Sequence, residues 1–269
     1  MATIEQSVGS LLKEWRQRRR LSQLDLACEA DISTRHLSFL ETGRSAPSRE
    51  MLLHLAERLE VPLRERNTLL LAAGFAPVYS TTPLDDPSLG AARSAIDVVL
   101  AGHEPFPALA VDRHWTLIAS NRAIPPLLAG ATASLLKPPI NVLRLTLHPE
   151  GIAPRILNLS EWRAHTFARL RHQIGATADP VLGHLLKELS GYPAESESAD
   201  GDGRYGGVVV PLTLLTDHGT LSFFSTTTVF GTPLDVTLSE LAIESFFPAD
   251  AATTEVLRRL SLGGDDKTV

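Results

Sequence analysis

Four side chains that can hydrogen-bond to DNA bases or phosphates lie close together in one short run, namely Thr34, Arg35, His36 and Ser38. Their hydroxyl, guanidinium and imidazole groups match the donors and acceptors that base pairs present in the major groove. On a helix, this spacing leaves all four on outward-facing positions. The pattern favours base recognition by a helix that a neighbouring element holds against DNA.

The segment from Ser22 to Gly43 predicts that neighbouring element, because it has the signals of two short helices joined by a tight turn. Ser22 is expected to cap the first helix, with Asp25 as its capping-box partner three residues later. Ser33 is expected to cap the second helix. On periodicity alone, a plain αα-hairpin within a helical bundle remains an alternative.

Apolar residues at helical spacing give the two helices a predicted buried face. For the first helix we expect the buried stripe to be Leu24, Ala27 and Cys28, and for the second helix Leu37 and Leu40. Cys28 is interpreted as a small core residue rather than a redox sensor.

The sequences SQLDLACEADIS and TRHLSFLETGRSAPS, residues 22–48, resemble the XRE-type helix-turn-helix of the lambdoid repressors. The resemblance extends from Val8 to Glu60. It implies an all-α, five-helix, lambda-repressor-like DNA-binding domain, whose partner is a double-stranded DNA operator. Such operators commonly consist of two half-sites about 34 Å apart, so the resemblance also implies a homodimer.

The resemblance also assigns roles to individual residues. It implies DNA contacts for Gln23, Ser33, Thr34, Arg35, His36, Ser38 and Arg44. Gln23 is also expected to contact and support the second helix, which is the recognition helix of the motif. It implies an ion pair between Arg16 in the first helix and Glu41 at the end of the recognition helix. Phe39 departs from the polar residue that some relatives have, and we interpret it as packing on a neighbour or on a thymine methyl group.

The charge distribution supports DNA binding by the N-terminal part alone. The chain of 269 residues has a net charge of −6, yet residues 1–75 contain 11 Lys and Arg against 10 Asp and Glu. The remainder contains 14 basic and 21 acidic residues. Because basic residues cluster around the motif, local phosphate attraction is compatible with an acidic whole chain.

Cysteine content and hydropathy exclude several classes of protein. The single cysteine excludes an internal disulfide and any multi-cysteine zinc site. The first ten residues lack a basic and apolar leader, and no apolar run reaches about 18 residues. We therefore expect a cytoplasmic protein with no membrane partner.

The chain is expected to form two domains with a short connector. Five helices are predicted in residues 1–75, near Glu5–Arg19, Gln23–Ala30, Thr34–Glu41, Arg49–Glu60 and Leu63–Ala73. The proline-containing segment 76–90 is interpreted as a connector that docks on a neighbouring element rather than as a free tether. An effector-binding domain is predicted over residues 91–250, and a C-terminal helix with a disordered tail over residues 251–269.

The second domain has the pattern of an α+β fold. A hairpin is predicted around Asp112 and Arg113, followed by helices that begin near Asn158 and Asp179. Two apolar strands, GGVVVPLTLL and GTLSFFSTTTVF, flank a second turn at residues 217–219. A last helix is predicted from Thr237 to Phe246, because Thr237 and Glu240 have capping-box spacing. Asn158 and Glu161 form a similar predicted box.

Several segments of this second domain resemble the effector domain of MmyB-like transcription regulators. They include DRHWTLIASNRAIPPLLAG, RLTLHPEG, EWRAHTFARLR, DPVLGHLLKELSGYP and FFSTTTVFGTPLDVTLSELAIESFFPAD. The resemblance implies a PAS-like domain that binds a lipophilic small molecule, with a bound fatty acid as the implied effector and no other cofactor.

An apolar cavity between sheet and helices suits such a ligand. The candidate wall residues are Trp115, Leu117, Leu127, Trp162, Phe167, Leu170, Leu182, Leu185, Val209, Leu212, Phe223 and Phe230. Ordinary core packing is the alternative for each of them. The candidate anchors for a carboxylate are Arg122, Arg163 and Arg171, each of which a solvated surface position would also explain.

The sequence favours a regulator over an enzyme. The histidines lack metal-ligand spacing, and no Gly-x-Ser-x-Gly elbow or phosphate-binding loop is present. We therefore expect a non-enzymatic, ligand-responsive transcription regulator. Two alternatives remain open: a ligand-free dimerisation or protein-interaction module behind the DNA-binding domain, and an enzyme acting on an acyl compound.

Overall fold

The computed structural model describes residues 7–193, 210–231 and 233–263. Its internal contacts divide the chain into two compact units. Unit 1 comprises Met1–Pro83, Gln173–Ala178 and Pro233–Ser239, and unit 2 comprises Leu84–His172, Asp179–Thr232 and Glu240–Val269. The predicted fold class, a helical domain followed by a mixed helix and sheet domain, is confirmed.

Unit 1 contains the five predicted helices. They are α1 (Val8–Arg18), α2 (Gln23–Glu29), α3 (Thr34–Glu41), α4 (Arg49–Arg58) and α5 (Leu63–Ala72). A serine side chain caps each of the first four helices by accepting a backbone N–H from the first turn. At α2 the predicted capping box is complete, since Ser22 and Asp25 each accept the other's backbone N–H.

The buried face of α2 differs from the prediction. Leu26 and Ala27 are buried there, whereas Leu24 is 60% exposed and Cys28 is exposed. Residues two positions apart on a helix point about 200° apart, so burial of Leu26 directs both Leu24 and Cys28 toward solvent. The predicted stripe was therefore wrong at two of its three positions on α2. On α3, Leu37 and Leu40 are buried as predicted.

One side chain of α5, Asn67, makes three hydrogen bonds to the segment that follows this helix. Asn67 Oδ1 accepts the backbone N–H groups of Val78 at 3.0 Å and Tyr79 at 3.1 Å. Its Nδ2 atom donates to the Tyr79 carbonyl at 2.7 Å. Because one amide satisfies three backbone groups, this part of the segment is fixed to α5.

Unit 2 is built on one antiparallel sheet of five strands. The strands are β1 (Ala108–Val111), β2 (Leu117–Ser120), β3 (Leu212–Thr216), β4 (Gly219–Val229) and β5 (Ala242–Pro248). Their spatial order is β2-β1-β5-β4-β3, so β5 joins the two predicted hairpins. Leu109 of β1 and Thr227 of β4 both pair with Glu244 of β5.

The predicted helix from Thr237 to Phe246 was wrong. The structure has one short helical turn, α10 (Val236–Ser239), and then strand β5. The turn is capped, but by Asp235, whose carboxylate accepts the backbone N–H groups of Thr237 and Leu238. The chain then becomes extended because β5 pairs with a strand on each side, and those partners are distant in sequence.

Further helices accompany the sheet. They are α6 (Gly90–Gly102), α7 (Val142–Leu147), α8 (Leu159–Thr177), α9 (Pro180–Ser190) and α11 (Ala251–Gly263). Asp179 caps α9 as predicted, with its carboxylate accepting Val181 N–H at 2.9 Å. Asn158 and Glu161 interact through their side chains at 3.1 Å rather than through the backbone N–H groups of the predicted box. The Asn158 side chain also bonds to the backbone of Pro211 and Thr213. None of the helices in the described ranges is long and apolar enough to cross a membrane.

Candidate functional site

The outward surface of α3 presents the side chains that the sequence assigns to DNA. Arg35 and His36 are exposed, and Thr34 and Ser38 are half-buried. The Ser33 hydroxyl accepts the His36 backbone N–H at 3.1 Å, so its oxygen serves as the helix cap. The structure thus places these five residues at the N-cap and within the first five residues of α3.

A buried ion pair connects α1 with the end of α3. Arg16 Nε and Nη2 donate to the two carboxylate oxygens of Glu41 at 2.6 and 2.8 Å. Gln23 Nε2 donates to the same carboxylate at 2.8 Å, which places Gln23 against the recognition helix. Burial raises the pKa of Glu41, but the hydrogen bonds from Arg16 and Gln23 and the positive charges of Arg16 and Lys13 outweigh it, so the pKa is lowered.

Phe39 lies between two arginines on this surface. The Arg35 guanidinium lies 5.3 Å from the centre of its ring, and that of Arg44 lies 5.8 Å from it. Both distances are within the range of a cation–π interaction. One half-buried aromatic ring therefore contacts two candidate DNA-binding side chains. The sequence interpretation included packing on a neighbour but did not specify these two arginines.

Unit 2 contains an apolar cavity with a volume of about 90 Å³. All five strands contribute to its walls, together with α7 and α8. Strand residues two positions apart face the same side of a sheet, which explains why Glu244 and Phe246 both line it. Six of the predicted wall residues lie here: Trp115, Leu117, Leu127, Trp162, Leu212 and Phe223.

The other predicted wall residues lie elsewhere. Leu170 and Leu182 are fully buried in the core, and Phe167 packs under Arg163 and Arg171. Leu185 borders a separate surface groove, and Phe230 is half-buried just beyond β4. Val209 lies outside the described residues. The sequence did not single out further apolar wall residues, among them Leu109, Ile124, Val142, Leu145, Leu214 and Phe246.

None of the three predicted anchor arginines lines this cavity. Arg122 borders a second groove of about 370 Å³, beside Glu104 and Leu257. Arg163 donates to backbone carbonyls at the end of α9, including those of Leu189 and Tyr192. The guanidinium of Arg171 lies 5.9 Å from the centre of the Phe167 ring.

Arg169 reaches the cavity instead. Its two terminal nitrogens donate to the two oxygens of Glu244 at 3.2 and 2.7 Å, and one of them also donates to Thr227 at 3.0 Å. Its guanidinium lies 5.0 Å from the centre of the Trp115 ring. Arg169 follows Trp162 by seven residues on α8, which is two helical turns, so helical spacing could have identified it.

A buried indole is a further polar group of the cavity, besides the hydroxyls of Thr146, Thr166 and Ser225. Trp162 is 7% exposed, and its Nε1 donor has no hydrogen-bond partner among the described residues. Its ring centre lies 5.6 Å from that of His165. Burial lowers the pKa of His165, and the nearby Arg169 charge lowers it further, so the neutral imidazole is favoured.

Comparison with known proteins agrees with this architecture. Residues 92–260 match the family model described as the MmyB-like transcription regulator ligand binding domain. The chain belongs to this family. Residues 12–66 of this MmyB-like regulator match a second model, described as helix-turn-helix. Together, the two matches identify a ligand-responsive, DNA-binding transcription regulator.

Comparisons beyond these families add little. No curated protein matches the chain. One solved structure, titled "Structure of an RNA-binding Light-Oxygen-Voltage Receptor", aligns with 15% identity and a TM-score of 0.27. The alignment covers 97% of this chain and 64% of that one. A TM-score this low supports no argument about fold or function.

Proposed function

We propose that a lipophilic small molecule binds the apolar cavity of this MmyB-like regulator and changes its affinity for a DNA operator. The observation that carries the proposal is the cavity itself, whose walls are apolar apart from a few polar side chains around one ion pair, in which Glu244 is buried and Arg169 is half-buried. The fatty-acid class is the one that the family resemblance implies. The matched families are regulator domains, so we assign the chain no catalytic role.

The apolar walls supply the binding energy in this proposal. Transfer of a methylene group from water to such surroundings contributes about 0.8 kcal/mol, so a chain of several methylenes gains substantial affinity without specific contacts. Residues such as Leu117, Leu145 and Leu214 provide those surroundings from β2, α7 and β3. The few polar groups would then fix the orientation of the ligand.

The size of the cavity supports a coupling between binding and conformation. Its volume is about 90 Å³, whereas pockets that bind drug-sized ligands commonly have about 300–1,000 Å³. A long-chain ligand therefore requires wall side chains to move apart. Binding that favours one arrangement of the walls shifts the population of conformations, as an effector must do to alter DNA affinity.

The DNA partner is assigned to the surface of α3. In the proposal, Thr34, Arg35, His36 and Ser38 contact bases or nearby phosphates, and Arg44 contacts the backbone. Gln23 supports the helix and reaches a phosphate. Two copies of the chain would bind two half-sites about 34 Å apart, so we propose a homodimer on the operator.

Two neighbouring residues of β2 permit a matched test. Leu117 lines the cavity, whereas Ile118 is 38% exposed and belongs to the other face of the strand. We expect Leu117→Trp to fill the cavity and abolish binding of dodecanoic acid, measured by calorimetry on the full chain. Ile118→Trp adds the same side chain outside the cavity and should bind like the wild type.

The same two variants test the regulatory step. An operator is first enriched from genomic DNA fragments, and its affinity is then measured by fluorescence anisotropy with and without dodecanoic acid. We expect the ligand to change the affinity of the wild type and of Ile118→Trp, but not that of Leu117→Trp. If the wild type binds no lipid and solvent extraction recovers none, the proposal is wrong and a ligand-free interaction module is favoured.

A further inference from the structure

The charged side chains at the cavity neutralise each other. Arg169 and Glu244 are the ionised residues that line it within the described ranges, and they form a two-point ion pair. Glu244 is only 3% exposed and also accepts the Thr227 hydroxyl at 2.7 Å. The positive charge of Arg169 is therefore already balanced by a carboxylate of the protein.

A ligand carboxylate would disturb this balance. It would bring a second negative charge beside Glu244, and the two carboxylates would share one guanidinium, that of Arg169, whose side chain is 30% exposed. Because Glu244 is buried, a ligand carboxylate that competes for its counter-charge is unfavourable. Three arginines that could have supplied another positive charge, Arg122, Arg163 and Arg171, do not line this cavity.

Besides the hydroxyls of Thr146, Thr166 and Ser225, the cavity has two polar groups that suit an uncharged head group. Trp162 Nε1 is a buried donor without a described partner, so it lacks an acceptor. The Glu244 carboxylate has lone pairs beyond those used by Arg169 and Thr227, so it can accept a further donor. A head group that both accepts and donates would satisfy the two together.

We propose that the cavity selects a long-chain ligand with an uncharged head group that accepts and donates hydrogen bonds, such as a primary amide or an alcohol, over the carboxylate with the same chain. In this assignment, Trp162 donates to the head group and Glu244 accepts from it, while Arg169 holds Glu244 in place. The proposal rests on the proposed function, because it concerns the ligand of the same cavity.

Matched probes test this preference on the full chain. Dodecanamide, dodecanol and dodecanoate share one chain length and differ at the head group, and calorimetry at mildly alkaline pH keeps the acid ionised. We expect the amide or the alcohol to bind about tenfold more tightly than the carboxylate. This ratio corresponds to about 1.4 kcal/mol of unfavourable free energy for the additional negative charge. Dodecanoate binding as tightly as both would overturn the head-group assignment while leaving the proposed function intact. Binding of none of them would overturn both.

Substitution of Glu244 tests the cause of the preference. Glu244→Gln removes the carboxylate and leaves Arg169 without its counter-charge, so we expect dodecanoate to gain at least tenfold relative to dodecanamide. Glu255→Gln is the matched control, because Glu255 pairs with Arg259 at an exposed position of the same unit. An unchanged preference in a folded Glu244→Gln variant would overturn the proposal.

A second variant serves if Glu244→Gln does not fold. Trp162→Phe keeps an aromatic ring in the wall, although a smaller one, and removes the Nε1 donor. We expect it to weaken dodecanamide binding severalfold and to leave dodecane binding nearly unchanged, since a hydrocarbon accepts no hydrogen bond. Equal effects on the two ligands would show that Trp162 acts through packing alone, and would overturn its assignment as the donor.

Discussion

Arg16 and Glu41 form a buried ion pair with two hydrogen bonds between α1 and the end of α3. Their side chains are 9% and 1% exposed, and Arg16 also donates to the Leu21 carbonyl at 2.8 Å. Since Gln23 donates to the same carboxylate, three helices converge on Glu41. The helix that carries the candidate base contacts is thereby fixed relative to α1 and α2.

We expect Arg16→Met to destabilise the helical domain by about 3–5 kcal/mol, because it leaves the buried Glu41 carboxylate without its counter-charge. Hydrogen exchange measured across a urea series, on peptides from residues 8–72, gives the local free energy of unfolding. Adding Glu41→Leu should recover much of the loss, since a well-packed apolar pair often replaces a buried ion pair at little cost.

The exposed pair on α1 is the control for this effect. Arg18 and Glu14 are one helical turn apart, with side chains that are 33% and 43% exposed. Removing one partner of such a pair costs less than about 1 kcal/mol, so Arg18→Met should be nearly neutral. Equal losses for Arg16→Met and Arg18→Met would contradict a special role for the buried pair.

The buried pair of Arg16 and Glu41 predicts an acid-dependent loss of stability. Because the folded pKa of Glu41 is lowered, its contribution is fully present above the ordinary glutamate pKa of 4.5 and is lost as the pH falls through the folded value. We expect the unfolding free energy of residues 8–72 to fall more steeply with acid in the wild type than in Glu41→Gln. Parallel pH profiles for the two proteins would exclude Glu41 as the titrating group.

The helical domain could be predicted closely because its signals are local. Ser22 and Asp25 lie three residues apart and bond to each other across one turn. The error at Leu24 and Cys28 has a different origin. Both residues are apolar enough for a core, and only the tertiary contacts of α2 decide which of its faces is covered.

The sheet and the cavity could be predicted only in part because their decisive contacts are distant in sequence. Arg169 and Glu244 are 75 residues apart, and no spacing rule connects them. Glu244 lies within a segment whose local signals, at Thr237 and Glu240, favoured a helix. Pairing with β1 and β4 overrode those signals and placed this carboxylate at the cavity.

The exposed arginine of α3 gives a direct test of DNA recognition. We expect Arg35→Ala to weaken binding to an enriched operator by about 1–3 kcal/mol, the usual contribution of one side chain that contacts a base edge. Arg58→Ala removes another exposed charge, on α4, that has no assigned DNA contact, and this variant should bind nearly like the wild type. Unchanged affinity and base preference for Arg35→Ala would contradict the assignment.

Phe39 is predicted to act through the two arginines that lie against its ring. Each cation–π contact at an exposed site contributes about 0.5–1 kcal/mol, so Phe39→Leu should lower operator affinity severalfold in a fluorescence anisotropy titration. Phe39→Trp retains an aromatic face and should keep most of the affinity.

A double-mutant cycle separates this role from direct contact between Phe39 and DNA. If the ring positions Arg35, then Phe39→Leu should lower operator affinity only slightly further in a chain that already has Arg35→Ala. The effects of the two substitutions on affinity will then not be additive. If the ring instead packs on a thymine methyl group, the effects should add, and the loss should depend on thymine at one operator position. Because Arg44 lies against the same ring, a second cycle with Arg44→Ala should show a similar coupling if Phe39 orients both side chains.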